Sequence, residues 1–419
     1  MYHRGEEIMT DGQNADAIRS SGKEKPLDYV NAAFLILTPV IALIGISWYA
    51  WHYGVTWLEI ANLIGMYLLT GMGVTGGYHR YYAHRSYECG KPLQLFYLIF
   101  GAAAVENSVL NWASDHRYHH QYVDREEDPY NILKGGLYAH MGWVFYKDMR
   151  AVYQKFKNVP DLLKDPLVRW QDRWYLPLVI GFTFLLPACI GLIEGRPLGG
   201  LLWGGFLRVV IVHHMTFFIN SLAHLYGSRP YAVDNSARDN WLLGPITFGE
   251  GYHNFHHKFQ ADYRNGIRWY QFDMTKWWLH IMRLLGQVTR LRITPESLII
   301  KAKLEVEMRH VEKKLVAMGA SERFWVKVRW RLESGRKRLE SAAAQYQQAK
   351  TEHRRQKHQW SADMRKQWTG NIVYCRREFV EARRRWRDLM QALNRIPHPS
   401  AQGLITLTAV FNVLKTRIL

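Results

Sequence analysis

In Gly71-Met72-Gly73-Val74-Thr75-Gly76-Gly77-Tyr78-His79-Arg80-Tyr81-Tyr82-Ala83-His84 an apolar run passes within a few residues into a pair of histidines. The run begins near residue 54 and ends near residue 75, close to the ~20 residues a helix needs to cross a bilayer. Another apolar run, 30–49, precedes it, and only Ala50-Trp51-His52-Tyr53 separates the two, which predicts a transmembrane hairpin. A second pair, 174–194 and 200–220, is joined by Gly195-Arg196-Pro197-Leu198-Gly199. Lys and Arg are scarce in these connections and frequent in the flanks 19–25, 80–85 and 147–169. The positive-inside rule then places both termini and every histidine cluster on the cytoplasmic side. Glu59 and Arg208 are the only full charges well inside the four runs. Residues 92–110 are apolar but contain Glu106 and Asn107, and are expected at the membrane face or beside the site, since a fifth span would put the first two clusters on opposite sides.

Three clusters follow from that start: His79/His84, His116/His119/His120 and His253/His256/His257, with His224 four residues after Asn220. Neutral imidazole is the commonest protein ligand for iron, zinc and copper, and nine of them exceed what one ion needs. On a helix, residues i and i+4 share a face while adjacent residues diverge by about 100°. In His116-x-x-His119-His120 the outer pair therefore serves one ion and the middle histidine another. The three cysteines, Cys89, Cys189 and Cys375, form no C-x-x-C pair, suit a reducing compartment and exclude a built-in iron–sulfur cluster.

The 419 residues are 48% apolar yet carry a net charge of +19. The two properties are segregated: residues 301–395 hold 25 Lys and Arg against 11 Asp and Glu. The chain thus divides into a polar cytoplasmic tail (1–29), without the features of a signal peptide, a membrane unit (30–300) and a basic helical extension (301–419). In the extension, Leu304, Met308, Val311, Leu315 and Met318, and again Phe379, Ala382, Trp386, Leu389 and Leu393, recur at helical spacing. Two or three amphipathic helices are expected, arranged as an antiparallel coiled coil and broken at Gly319, Ser334-Gly335 and Thr369-Gly370. Its runs Arg336-Lys337-Arg338 and Arg383-Arg384-Arg385 suit anionic lipid or an acidic electron donor; no nucleic-acid fold signature accompanies them.

His79-Arg80-Tyr81-Tyr82-Ala83-His84, His116-Arg117-Tyr118-His119-His120, Asn220-Ser221-Leu222-Ala223-His224 and Gly249-Glu250-Gly251-Tyr252-His253-Asn254-Phe255-His256-His257 together resemble the membrane fatty acyl desaturases of the stearoyl-CoA type, of a bacterial-like kind. Asp262-Tyr263-Arg264-Asn265-Gly266 and Trp269-Tyr270-Gln271-Phe272-Asp273 extend the resemblance, which covers roughly residues 30–300. It implies an all-α membrane protein with four transmembrane helices in two hairpins. A cytosolic helical cap would hold two iron ions, with O2 as cosubstrate; zinc occupies the same imidazoles on overexpression. By the family pattern one ion takes His79, His116, His120 and His256. The other takes His84, His119, His224, His253 and His257, with a water held by Asn220. The implied reaction is insertion of a cis double bond at the Δ9 position of a saturated acyl chain bound in an apolar tunnel.

Metal-bound imidazoles usually donate their second N–H to a carboxylate or carbonyl, which makes Asp115, Glu106, Asp128, Glu250 and Asp262 candidates for that support. His213 and His214 on the fourth run, and His140, are expected to be non-ligands. The family's arginine before the aspartate of the second box is replaced by Ser114, leaving Arg117, Lys134 and Arg264 as candidates for a CoA head group. Acyl-CoA is the expected substrate and acyl-lipid the alternative. No flavin, nicotinamide or cytochrome-like fingerprint is present, so electrons are expected from a separate ferredoxin, cytochrome or flavin reductase, in a bacterial inner membrane. The competing readings are a membrane diiron hydroxylase, a metal transporter or store, and a scaffold whose basic tail recruits partners.

Overall fold

The computed structural model describes residues 26–147, 156–317, 322–356 and 361–394. Most of the expected N-terminal tail, the break at Gly319, Met318 and everything after residue 394 lie outside them. Among the described residues, four helices are long and apolar enough to cross a membrane: Tyr29–Tyr53, Trp57–Ala83, Tyr175–Glu194 and Pro197–Leu225. Asp28 starts the first by accepting from Asn31 N–H, and a reciprocal Thr56/Glu59 capping box starts the second. That box explains Glu59: it lies in the first turn of its helix and pairs with Arg196 at 2.9 Å, so its charge sits at a helix end, not in mid-span. Arg208 has no such exit. It is fully buried and donates to the carbonyls of Ala103, Gly204 and Thr183, the way an intramembrane cation is satisfied without a carboxylate.

The second and fourth spans run further than the sequence predicts, to Ala83 and Leu225, and so carry His79 and His224 on their own ends. Residues Gly73–Ala83 are wound as a π-helix. Helix Lys91–Ala102 packs across it, with Tyr78 against Gly101 and Tyr97 against Gly77; a Cβ at Gly101 would stand 2.2 Å from the Tyr78 ring. At 12 residues that helix is too short to span, in keeping with a place at the membrane face. Helix Val109–Tyr122 follows, and helices His253–Lys258 and Met274–Leu284 come after the fourth span. One departure from a purely helical fold is a two-residue antiparallel ladder, Glu88–Cys89 with Val288–Thr289, which ties the segment after the first histidine pair to the end of the membrane unit.

Helices Glu296–Ala317, Glu322–Gln356 and Ala362–Asn394 form the extension. Both predicted apolar stripes face inward: Leu304, Val311, Leu315, Leu332 and Leu339 pack with Phe379, Trp386, Leu389 and Leu393. The last two helices run antiparallel, as Tyr346 stacks on Phe379 while Gly335 faces Trp386. Ser334-Gly335 and Thr369-Gly370 are not breaks; both lie inside continuous helices. Gly335 leaves room for the Trp386 ring, which a Cβ would approach to 3.3 Å. A small patch of Ile299 and Ala302 on Phe255 and Tyr231 joins this bundle to the last histidine helix.

Because Trp386 fills the middle of the bundle, Trp386→Ala is expected to cost about 3 kcal/mol of local stability. Hydrogen exchange should then speed up in peptides from the last two helices and stay unchanged in those carrying the histidine clusters.

Candidate metal centre

The π-helical turn decides how the first two histidines are used. In an α-helix, residues five apart point about 140° away from each other, whereas the i→i+5 bonding of a π-helix, with its ~4.4 residues per turn, brings them within about 50°. His84 N–H accordingly bonds the carbonyl of His79, and the two rings meet edge to face at 4.8 Å.

Ligand nitrogens of His79, His84, His116, His120 and His256 converge within 4.8 Å of one another, and those of His119, His224, His253 and His257 do the same. The outer members of each H-x-x-H-H box stay together while the middle one crosses to the other group, as helical spacing predicts. His116 and His120 join His256; His253 and His257 join His119. His84 is the correction. The family pattern allots it to the ion of His119, but the π-turn swings it into the group of His79, with its Nε2 2.8 Å from His116 Nε2. The groups therefore number five and four.

The arrangement suits metal better than hydrogen bonding. Nε2 faces Nε2 at 2.9 Å between His79 and His256 and at 3.0 Å between His253 and His257. Metal–nitrogen bonds of about 2.0–2.1 Å place neighbouring ligand atoms roughly 3 Å apart or somewhat more. His224 Nε2 is buried with no hydrogen-bond partner. Burial, reinforced by repulsion between rings, lowers the pKa of His84, His116, His120, His253, His256 and His257 well below the ordinary value, keeping them in the neutral form that ligates.

Two of the five predicted carboxylates reach ligand candidates. Glu250 lies 2.9 Å from His79 Nδ1 and Asp128 lies 2.9 Å from His119 Nδ1, which turns each Nε2 lone pair inward. Burial alone would raise Glu250, but His79 and the buried Arg80 hold its carboxyl below the usual range. Arg80 also grips Asp273, so the first histidine segment is tied to two later ones. Asp262 supports no histidine: it binds Arg264 at 2.9 Å and accepts Thr294 N–H. Asp115 and Glu106 line a cavity instead. Sequence reasoning missed the support of His224, whose Nδ1 meets Ser236 Oγ at 2.6 Å; Ser236 in turn bonds Asp124 through both its hydroxyl and its N–H. No spacing rule announces that link. Asn254 clamps the same loop, bonding Tyr231 N–H, Ala232 N–H and the carbonyls of Ala232 and Ala237.

The cavity, of about 260 Å³, runs from Val30 and Phe34 on the first span to His79, His116, His119 and His253. Asn220 lines it beside the second group, four residues from His224 and so on the same helix face. Glu106 accepts from Trp112 Nε1 and Thr216 Oγ1, and Trp112 stacks on His116 with ring centres 4.9 Å apart. Burial pushes the Glu106 carboxyl up to about 7 despite these donors. His213 also lines the cavity and bonds the Ala104 carbonyl, while His140 bridges Ser221 and His214; none of the three joins a metal group.

The proposed head-group cations fare differently. All five N–H groups of Arg117 are engaged by Asp161 and the carbonyls of Tyr82, Ala83 and Asn158, which makes it an internal clasp. Arg264 is committed to Asp262. Lys134 pairs with Glu126, whose side chain is 86% exposed, and stands over the Tyr138 ring.

Comparison with known proteins places this geometry. The sequence model of the family described as fatty acid desaturase matches residues 56–288. The chain is similar to a probable acyl-CoA desaturase of Schizosaccharomyces pombe, 41% identical over 280 residues, 66% of this chain and 57% of that protein. It is 38% identical to stearoyl-CoA desaturase 5 of Bos taurus over 240 residues, 55% of this chain and 71% of the relative. Delta-9 acyl-lipid desaturase 1 of Arabidopsis thaliana is 32% identical over 278 residues, 66% of this chain and 87% of the relative. The chain thus spans little more than half, 57%, of the fission-yeast protein.

The five-and-four grouping has a direct test. His224→Ala leaves three ligands in its group and is expected to lose about one equivalent of metal, whereas His84→Ala leaves four and is expected to retain both. Metal content of the purified variants by mass spectrometry checks this.

Proposed function

The chain belongs to the fatty acid desaturase family, and on that premise we propose that it inserts a cis double bond into a saturated acyl chain, at Δ9 and on acyl-CoA. The observation that carries the proposal is the cavity: an apolar channel reaching from the membrane-embedded first span to histidines of both groups. Two iron ions held by the nine histidines, with a water on Asn220, would supply the oxidising power drawn from O2 that breaking two unactivated C–H bonds requires. The remaining work falls to the chain itself. Glu250, Asp128 and Ser236 hold the imidazoles in the ligating tautomer. Trp112, fixed by Glu106, sets the wall against which the acyl chain lies beside His116. Apolar side chains such as Phe34, Leu35 and Val74 exclude water from the reacting carbons.

Four apolar helices make this an integral membrane protein. We place the site and both termini on the cytoplasmic side, where an acyl thioester and a separate redox protein, the source of the electrons, can reach it. Acyl-lipid remains the second substrate class, because one relative carries that name and two of the three expected head-group cations are internally paired.

Expression in a host lacking its own desaturase, followed by gas chromatography with mass spectrometry of its fatty acids, is expected to show a new cis monoene with the unmodified chain and none with His119→Ala. A hydroxylated product would replace desaturation by hydroxylation. Glu106 yields a second expectation: with its carboxyl at about 7, it is neutral below that pH and charged above it, and because a buried charge in the cavity wall disfavours an apolar acyl chain, turnover falls as pH rises through 7. Glu106→Gln should flatten that decline in a pH–rate profile.

A further inference from the structure

Helix Met274–Leu284 has three sides, where a helix on a globular surface has two. Thr275 and Leu279 are buried, and Trp278 packs on Phe96 with ring centres 5.5 Å apart. His280 and Arg283 form a polar edge. The third side is apolar and open: Trp277, Ile281, Leu284 and Leu285 share one face at 100° per residue, and Leu284 is 88% exposed.

The position of this helix says what covers that face. At its start, Thr275 Oγ1 meets Thr75 Oγ1 at 2.8 Å, and Thr75 lies eight residues inside the cytoplasmic end of the second span. Its neighbour Lys91–Ala102, reached through Phe96, ends at Phe100 against Phe182 of the third span. Phe182 is seven residues into that span, or about 10 Å of helix. Nearby, the Ile246 carbonyl accepts the Tyr67 hydroxyl from the second span, and Trp241 and Leu242 around it are 71% and 62% exposed. The underside of the cap is therefore continuous with the lipid-facing surface of the spans.

We propose that helix Met274–Leu284 lies in the plane of the cytoplasmic leaflet, with Trp277, Ile281, Leu284 and Leu285 seated at the boundary between head groups and acyl chains. Arg283 at its polar edge faces the phosphates, the arrangement of an interfacial amphipathic helix, while His280 beside it bonds the Tyr263 hydroxyl at 3.0 Å. The seat is connected to the histidines. Asp273 caps this helix by accepting Lys276 N–H, and the same carboxylate holds Arg80, next to His79. The inference rests on reading the four apolar helices as membrane spans.

The test uses the full chain in lipid nanodiscs, with its three native cysteines replaced by serine and a nitroxide placed singly at Leu284→Cys, Ile281→Cys, Ile44→Cys on the first span or Ser334→Cys on the extension. Collision rates with oxygen, which concentrates in lipid, and with a water-soluble nickel chelate are compared. The labels at 284 and 281 are expected to fall between those at 44 and 334, with an oxygen-to-nickel ratio several-fold above that at 334. Nickel access equal to that at 334 overturns the proposal. So does shielding from both reagents, which would mean that protein, such as a second copy of the chain, covers the face. Nickel access at 44 itself would instead overturn the membrane reading on which the proposal stands.

Discussion

Nine imidazole nitrogens held a few ångströms apart can coexist only if all are uncharged and each lone pair is turned toward the same two points. For seven of them, His84, His116, His120, His224, His253, His256 and His257, burial meets the first demand by making protonation costly. For three of the rings a polar partner on the opposite nitrogen meets the second: the Glu250 carboxylate stands 2.9 Å from His79, Asp128 bonds His119 and Ser236 bonds His224.

Rigid elements bring the histidines to that point from both sides of the membrane boundary. Spans that outrun the bilayer deliver His79 and His224, so two ligand candidates ride on helices anchored in lipid. Short helices His253–Lys258 and Val109–Tyr122 supply the remaining boxes, and each divides its histidines between the two groups by helical phase alone. The buried Arg80, fork-bonded to Glu250 and Asp273, ties the second span to the segments on either side of Tyr263. Such a knot tolerates little displacement, because a buried guanidinium that loses either carboxylate is left with N–H groups that have no acceptor.

The basic extension obeys a separate logic. Its core includes leucines, alanines and Trp386, and it meets the membrane unit through the small apolar patch of Ile299 and Ala302 on Phe255 and Tyr231 and through Lys303 over the Tyr231 ring. That patch lies directly behind the last histidine helix. The charge of the extension, by contrast, is carried on its outward faces, with Arg384 and Arg387 exposed on the last helix.

Periodicity and composition sufficed for the four apolar helices, the apolar stripes of the extension and the outer-versus-middle division within each H-x-x-H-H box, because all of these depend on local helical geometry. What lay beyond sequence reasoning depends on contacts between distant segments. The i→i+5 winding that moves His84 into the other group occurs where Gly77 and Tyr78 pack closely against helix Lys91–Ala102. Pairing of Asp262 with Arg264 rather than a histidine, the closure of Arg117 on Asp161, and the Asp124–Ser236 support of His224 are likewise choices among partners. A carboxylate's partner is whichever donor the folded chain brings within reach, and no one-dimensional spacing encodes that.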